Sequence, residues 1–186
     1  MKDLKNKLLP VSLALAVIIL DQLTKWLVVK YIPLYTIGVS FFGDFFRIIH
    51  VANTGVAFSF GATWTETARK LAFSLMPLVV IILVCVVYFR NKDFSKLQRW
   101  SIMGIVGGGL GNLIDRIFRA EGVVDFLDVK WFGLTKSRIG LLQLKRWPTF
   151  NVADSAVVVC GILLLITFII AIVKDNNKKE EEKEAK

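Results

Sequence analysis

The sequence predicts a membrane-embedded, all-α protein with a small β platform, built as one domain over residues 1–186. Hydrophobic residues make up 55% of the chain and the mean hydropathy is +0.59, which is unusual for a soluble protein. Four apolar stretches approach the roughly 20 residues that a bilayer-crossing helix needs. The predicted fold is therefore four transmembrane helices with a β-rich segment between the first two. The predicted spans are residues 8–29, 71–89, 100–118 and 152–173.

The first span could be mistaken for a secretory signal, because lysines at positions 2, 5 and 7 precede its apolar run. No small-x-small cleavage site follows it, and after Asp21 and Lys25 the apolar pattern continues through Val29. We therefore expect this stretch to be retained as a membrane helix.

The segment at 30–60 is rich in β-branched and aromatic residues and contains several turn glycines. This pattern is typical of short strands and predicts the β platform. The third span carries two pairs of glycines spaced four residues apart, which lets another helix approach closely. The tail at 174–186 is nearly all charged or polar, so we expect it to be disordered.

Basic residues indicate how the helices are oriented. The connection at 90–99 holds four Lys or Arg and the tail adds five, which favours the cytoplasm for both termini and for this loop. The connection after the third span, counted from Arg116, holds seven, so charge counting alone is close to a tie. We interpret the net charge of +9 as a determinant of membrane orientation rather than of nucleic-acid binding.

Two residue types limit the possible chemistry. Cys85 and Cys160 fall inside predicted spans, where a thiol behaves as a small apolar group and implies neither a disulfide nor a metal site. His50 is the only histidine, which leaves little for multi-histidine metal sites and His-dependent triads. We expect no metal and no cofactor.

Asp125 and Asp154 are the strongest candidates for chemistry. Each adjoins a long apolar run, where an ionised carboxylate costs several kcal/mol and is kept mainly for function. Two carboxylates about 3 Å apart share one proton, so one can activate water while the other donates a hydrogen bond to a carbonyl. That is the chemistry of an aspartic protease. The alternative is two unrelated acids at the membrane interface.

Three polar residues share one helix face at the end of the third span, namely Asn112, Asp115 and Arg116. We expect Arg116 to hold Asp115 in an ion pair that supports the site, while a purely structural interfacial salt bridge is the alternative.

Two further pairs of residues are weaker candidates. Asp21 and Lys25 have the spacing of a helical ion pair, which fits either snorkelling at the membrane surface or contact with the site. Asn53 and Gly55 mark a polar turn, a signal that is weak alone because Asn and Gly mark turns wherever they occur.

Five motifs together resemble the lipoprotein signal peptidases, also called signal peptidase II. They occur in the family's order and cover nearly the whole chain, so the match is far more specific than any one motif. The matching motifs are Asp21-Gln22-x-Thr24-Lys25, Asn53-x-Gly55-x-Ala57-Phe58, Gly108-x-x-Gly111-Asn112-x-x-Asp115-Arg116, Val124-Asp125-Phe126-x-Asp128 and Phe150-Asn151-x-Ala153-Asp154.

The resemblance implies a bacterial inner-membrane aspartic endopeptidase with cytoplasmic termini and an extracytoplasmic active site. Such an enzyme removes signal peptides from diacylglyceryl-modified prolipoproteins, cutting just before the lipidated cysteine. Its partners would be these substrates and membrane lipids, without nucleic acid, and we expect a monomer whose glycine-lined third span leaves room for the signal helix. The catalytic aspartates match Asp125 and Asp154, and the residues for support or substrate binding match Asn53, Gly55, Asn112, Asp115, Arg116 and Asn151, with Asp21 and Lys25 near the site.

Residues 130–147 depart from the family pattern, because this segment looks longer than usual and holds aromatic and basic side chains. It is either a surface insertion or an added edge of the substrate cleft.

Outside the family, one alternative function is a proton-coupled transporter, whose relay acids would lie at several depths in the membrane. Another alternative is a structural membrane subunit, in which the presence of the two acids would be unexplained.

Overall fold

The structure, a computed structural model, describes residues 2–54, 65–130, 138–139, 142–143 and 146–184. These ranges are mostly helical, with a three-stranded antiparallel sheet and a two-stranded ladder. The elements are α1 Lys2–Leu8, α2 Val11–Tyr31, β1 Ile37–Phe41, β2 Phe46–Asn53, α3 Glu66–Arg90, α4 Lys96–Phe118, β3 Val123–Val129, β4 Arg138–Ile139, β5 Leu142–Gln143 and α5 Val152–Glu184.

Three helical stretches in the described part of the chain are long and apolar enough to cross a membrane. They are Leu4–Tyr31, Leu71–Arg90 and Val152–Asn177. These stretches correspond to the first, second and fourth predicted spans. The third predicted span lies in α4, a helix of 23 residues that packs against α2, α3 and α5. Helix α4 is therefore the centre of the helical part of the fold.

Local sequence signals determine where the helices begin. The Thr65 hydroxyl accepts a hydrogen bond from the Ala68 amide at the start of α3. Ser95 and Gln98 form a reciprocal capping box at the start of α4. Pro10 separates α1 from α2, because proline lacks the amide hydrogen that a continuous helix uses.

The glycines of α4 allow close packing of its neighbours. A methyl group at Gly107 would lie 2.8 Å from the Cα of Ala14 in α2. A methyl group at Gly108 would collide with the carbonyl oxygen of Ala153 in α5. Helices of the protein itself thus fill this face, so the expectation that it leaves room for a signal helix is wrong at these positions.

The β platform has the strand order β1-β2-β3, with both neighbouring pairs antiparallel. Strands β1 and β2 lie in the segment predicted at 30–60. Strand β3 comes from beyond α4, and the sequence did not predict it, because the residues that pair in β2 and β3 are 70 (Asn53 and Val123) to 83 (Phe46 and Val129) positions apart in the chain. The predicted turn residue Gly55 lies outside the described residues.

The platform is attached to the end of α2. Val28 of α2 clusters with Val124 and Phe126 of β3 in a buried apolar contact. The ring nitrogen Nδ1 of His50 lies 2.7 Å from the carbonyl oxygen of Ile32, at the C-cap of α2. His50 is therefore a structural residue that ties β2 to this helix.

Gly122 brings the beginning of β3 against the end of β2. Its φ is +100°, a conformation that residues with a side chain rarely adopt, and an added methyl group would lie 2.5 Å from the carbonyl oxygen of Asn53. Asn53 is thereby placed next to the strand that carries Asp125.

The expectation of a disordered tail is wrong for most of its length, because α5 continues to Glu184. Lys and Glu favour helical backbone. A helix already nucleated inside the protein also extends without the cost of forming its first turn.

We predict that Gly108→Ala lowers stability and that Gly161→Ala does not. The first methyl group would push against the Ala153 carbonyl, whereas nothing lies within 4 Å of the second. The cost of overpacking at Gly108 should be about 1–3 kcal/mol. Thermal unfolding of both purified variants in detergent measures the difference, and equal melting temperatures would contradict the packing described for α4.

Candidate active site

Asp125 lies on β3 and is almost fully buried, with 2% of its surface exposed. In the sheet it pairs with Val51 of β2. Two side-chain amides donate to its carboxylate: Asn53 Nδ2 to Oδ2 at 2.9 Å and Asn151 Nδ2 to Oδ1 at 2.7 Å. Both oxygens are therefore held in place from two different elements.

Asp154 lies in the first turn of α5, and a local capping arrangement holds it there. Its backbone amide donates to Asn151 Oδ1 at 2.9 Å, and its own Oδ2 accepts from the Asn151 backbone amide at 3.1 Å. These reciprocal bonds form a capping box with Asn as the cap and Asp in place of Glu. A negative charge is stabilised at this position by the positive end of the helix dipole.

Two asparagines connect the aspartates. Asn151 Nδ2 donates to Asp125 and also to Asn112 Oδ1, the latter at 3.0 Å. Asn112 Nδ2 in turn donates to Asp154 Oδ1 at 2.7 Å. The predicted pair is thus brought together from β3 and α5 and is bridged by amides from α4 and from the residue preceding α5.

Burial raises the pKa of Asp125 to about 6. The nearby charge of Asp154 raises this pKa as well, whereas the hydrogen bonds from Asn53 and Asn151 lower it. Desolvation disfavours the charged carboxylate more strongly than two neutral donors favour it. Asp125 therefore retains its proton to a higher pH than an ordinary aspartate.

Lys25 is fully buried, with an exposed fraction of 0%, so it does not snorkel to the membrane surface. Its ammonium nitrogen lies 2.7 Å from Asp21 Oδ2 and 2.9 Å from Asp115 Oδ2. It also donates to Asn112 Oδ1 at 2.9 Å. Lys25 is therefore in direct contact with one of the two amides that bridge the aspartates.

The carboxylates bound to Lys25 reach the two elements that carry the candidate pair. Asp21 Oδ1 accepts from the Ala153 amide in α5 at 2.9 Å. Asp115 Oδ2 accepts from the Val124 amide in β3 at 3.1 Å. A single buried ion cluster thus fixes the starts of β3 and α5 relative to α2 and α4.

The predicted ion pair between Arg116 and Asp115 is wrong. Asp115 instead pairs with Lys25 and with Arg119, whose Nε lies 2.9 Å from Oδ1. Adjacent residues on a helix do not face each other, whereas residues four apart do. Arg116 donates to the carbonyl oxygen of Phe73 at 3.4 Å and lies over its ring, and its charge interacts with those of Asp154 and Asp125.

Residues 147–150 run beside β3 and border a cleft of about 550 Å³ that reaches Asp154. Trp147 donates its backbone amide to the Val129 carbonyl, and Phe150 exchanges backbone hydrogen bonds with Leu127. The other side of the cleft is α5, including Val158. Most of the segment predicted as an insertion at 130–147 lies outside the described residues.

Three residues with site contacts were not assigned from the sequence. Gln22 donates to the Gly111 carbonyl at 3.0 Å and to Asp115 at 3.2 Å, and its place within a matching motif was the available signal. Arg119 could have been found from its four-residue spacing to Asp115. Arg146 pairs with Asp128, 18 residues away, and no local pattern reveals such a contact.

The sequence also matches a known protein family. The family described as signal peptidase (SPase) II matches residues 13–170. The chain belongs to the signal peptidase II family. It is accordingly an aspartic peptidase and a multi-pass membrane protein.

Relatives of this family are similar over most of their length. The lipoprotein signal peptidase of Treponema pallidum is 46% identical over 161 residues, covering 87% of this chain and 83% of the relative. That of Borrelia hermsii is 52% identical over 147 residues, covering 79% and 81%. A solved bacterial membrane enzyme, determined by the in meso method at 2.3 Å resolution, has a TM-score of 0.69 at 25% identity and covers 91% of this chain and 90% of its own.

In this signal peptidase II protein, we expect the Lys25 side chain to be critical for stability. Lys25→Met would leave Asp21 and Asp115 buried with less counter-charge, which costs roughly 3–5 kcal/mol for a broken buried pair. The matched control is Lys30→Met on the same helix, because Lys30 is exposed and lies over Trp26. That change should cost about 1 kcal/mol or less.

Equilibrium unfolding of both variants in mixed micelles measures this difference. Equal losses of unfolding free energy in the two variants would mean that the buried cluster contributes no more to stability than a surface lysine does.

Proposed function

We propose that this protein removes signal peptides from diacylglyceryl-modified prolipoproteins, cutting before the lipidated cysteine, with Asp125 and Asp154 as its catalytic residues. The observation that carries the proposal is the pair of carboxylates linked through the amides of Asn112 and Asn151. Membership of the signal peptidase II family supports the substrate class, as do relatives named lipoprotein signal peptidase.

Asp125 carries the shared proton and Asp154 is the general base. Burial and the neighbouring charge of Asp154 both raise the pKa of Asp125, to about 6. Asp154 accepts two N–H bonds and lies at the N-terminal end of α5, where a negative charge is stabilised. The environments of the two acids are therefore unequal, which favours one acid and one base.

In the proposed reaction, Asp154 takes a proton from water as the water oxygen bonds to the scissile carbonyl carbon. Asp125 gives its proton to the carbonyl oxygen, producing a neutral tetrahedral diol. When the C–N bond breaks, Asp154 returns its proton to the leaving nitrogen. A diol hydroxyl then returns a proton to Asp125, and the carboxyl group of the product forms. Both aspartates end in their starting protonation states.

The remaining polar residues position this pair. Asn53 and Asn151 orient the Asp125 carboxyl, and Asn112 orients Asp154. Arg116 adds a positive charge that interacts with both aspartates, which suits stabilisation of negative charge developing at the carbonyl oxygen. All of these groups come from one chain, so we propose a monomer.

We propose that α4 is a fourth span and that both termini are cytoplasmic, in the bacterial inner membrane. Its packing against α2, α3 and α5 supports this placement, because helices that surround α4 shield it from lipid. Four spans return the chain to its starting side, and the basic loop at 90–99 favours the cytoplasm for that side. The platform and the aspartates are then extracytoplasmic.

The hypothesis that the protein is a proton-coupled transporter is less well supported. A proton relay needs acids at several depths, whereas the buried acids Asp21, Asp115 and Asp125 are linked to Asp154 within one connected hydrogen-bond network. In a structural membrane subunit, this hydrogen-bond network would have no function.

Replacing either aspartate should abolish cleavage. Asp125→Asn and Asp154→Asn keep the shape of the side chain but remove the group that carries or accepts the proton, so kcat should fall by about 10³-fold or more. The control is Asp93→Asn, an exposed loop residue. Processing of a purified lipidated prolipoprotein is the measurement, and normal turnover by either site variant would refute the proposal.

The pH profile should have an alkaline limb that depends on Asp125. With the pKa of Asp125 at about 6, kcat/KM should fall as pH rises through that value, because the acid then loses its proton. Asn53→Ala removes a donor that stabilises the ionised form, so the limb should move to higher pH. Asn176→Ala, an exposed residue of α5, is the control. A lower rate with an unmoved limb would contradict the assignment of the proton to Asp125.

A further inference from the structure

Helix α3 contains a proline, Pro77, inside a stretch that is long and apolar enough to cross a membrane. Proline has no amide hydrogen, so position 77 cannot donate the usual helical hydrogen bond to the carbonyl four residues earlier, which is that of Phe73. Prolines are tolerated in membrane helices where groups of neighbouring helices bond to such carbonyls instead. The role of Pro77 therefore depends on which neighbouring group reaches Phe73.

Arg116 of α4 donates to this carbonyl. Its Nη1 lies 3.4 Å from the Phe73 oxygen. Its guanidinium carbon lies 5.6 Å from the centre of the Phe73 ring, within the range of a cation–π contact. The charge of the same guanidinium interacts with those of Asp154 and Asp125. Phe73 thus holds, through its carbonyl and its ring, a cation that acts on both aspartates.

The packing of α3 against α4 brings these two residues together. The helices are joined by the short connection 91–95 and run in opposite directions. A methyl group at Gly109 would lie 3.1 Å from Cδ1 of Ile81, so the helices approach closely there. Phe73 lies about 12 Å along α3 from Ile81, and Arg116 lies about 10.5 Å along α4 from Gly109. The close approach at Gly109 therefore places Arg116 at the level of Phe73.

We propose that Pro77 is a positioning residue for cleavage, because an amide hydrogen at position 77 would compete with Arg116 for the Phe73 carbonyl. The helical bond from such an amide would leave the guanidinium less firmly held beside the aspartates. The inference rests on the proposed function, in which Arg116 stabilises negative charge developing at the scissile carbonyl oxygen. Pro77 acts only through Arg116 and contacts no reacting atom.

Pro77→Ala tests the proposal, because alanine restores the amide hydrogen. The kcat for a purified lipidated prolipoprotein should fall about tenfold with KM nearly unchanged, since a contact that stabilises the transition state is weakened. The melting temperature in detergent should stay the same or rise, because the helix gains a hydrogen bond and loses a helix-breaking residue. The matched control is Val80→Ala, an exposed position about one turn further along α3, which should leave kcat unchanged.

A normal kcat for Pro77→Ala would overturn the proposal. A fall in kcat accompanied by a lower melting temperature would overturn it as well, because Pro77 would then serve the stability of α3.

A further variant separates the missing amide hydrogen from the shape of the proline ring. Position 77 would carry an alanine analogue whose N–H is replaced by an ester oxygen, introduced as an α-hydroxy acid by nonsense suppression. This residue has neither a ring nor a donor, so its kcat should return close to that of the unmodified protein. A kcat as low as that of Pro77→Ala would show that the ring is what matters, and the proposal would be wrong.

Arg116→Ala, alone and combined with Pro77→Ala, shows whether the two residues act together. Once Arg116 is replaced, Pro77→Ala should lower kcat no further, whereas the effects of independent sites multiply. A further loss of about tenfold in the double variant would refute a role through Arg116. Failure of the unmodified protein to cleave the lipidated prolipoprotein would instead count against the proposed function itself.

Discussion

The ammonium group of Lys25 is the contact on which the rest of the site depends. It lies at 0% exposure between Asp21 and Asp115, and these carboxylates in turn bind amides of Ala153 and Val124. Replacing a buried ion pair by apolar residues is often neutral or stabilising, so net stability does not explain its presence. The role of Lys25 in positioning other elements explains its presence. This one cation determines where α5 and β3 begin, and those are the elements that carry the two aspartates.

Lys25 also determines which way the bridging amides point. An ammonium group can only donate, so Asn112 must turn its oxygen towards Lys25 and its nitrogen towards Asp154. Asn151 then donates to the same oxygen and to Asp125. The Asn112 oxygen thus accepts from Lys25 and Asn151, while the amide nitrogens of Asn112 and Asn151 donate to the two carboxylates. A neutral side chain at position 25 would remove one of the contacts that hold Asn112 in this orientation.

Local patterns predicted the helical part of the fold, and distant contacts limited the rest. Hydropathy predicted the three membrane-length helices, and motif matching predicted the two aspartates and the asparagines that the structure connects, because these signals reside in single stretches of sequence. Strand β3 was missed because its pairing with β2 depends on a fold that brings Asn53 to Val123. The predicted ion pair between Arg116 and Asp115 was wrong for another reason. Adjacent residues on a helix point in different directions, and Asp115 pairs with Arg119, four residues further along the helix. The tail prediction failed because composition alone ignores the helix that precedes it.

Close packing around α4 restricts how a substrate can reach the aspartates. The methyl-free surfaces of Gly107, Gly108 and Gly111 are occupied by α2, by α5 and by the Asp21 carboxylate. A substrate helix therefore cannot pass through this part of the bundle without separating those contacts. Residues 147–150 and the outer face of α5 leave an open approach on the other side of Asp154. The charged cluster of Lys25 thus closes the site from within, and the cleft leaves Asp154 accessible along the outer face of α5.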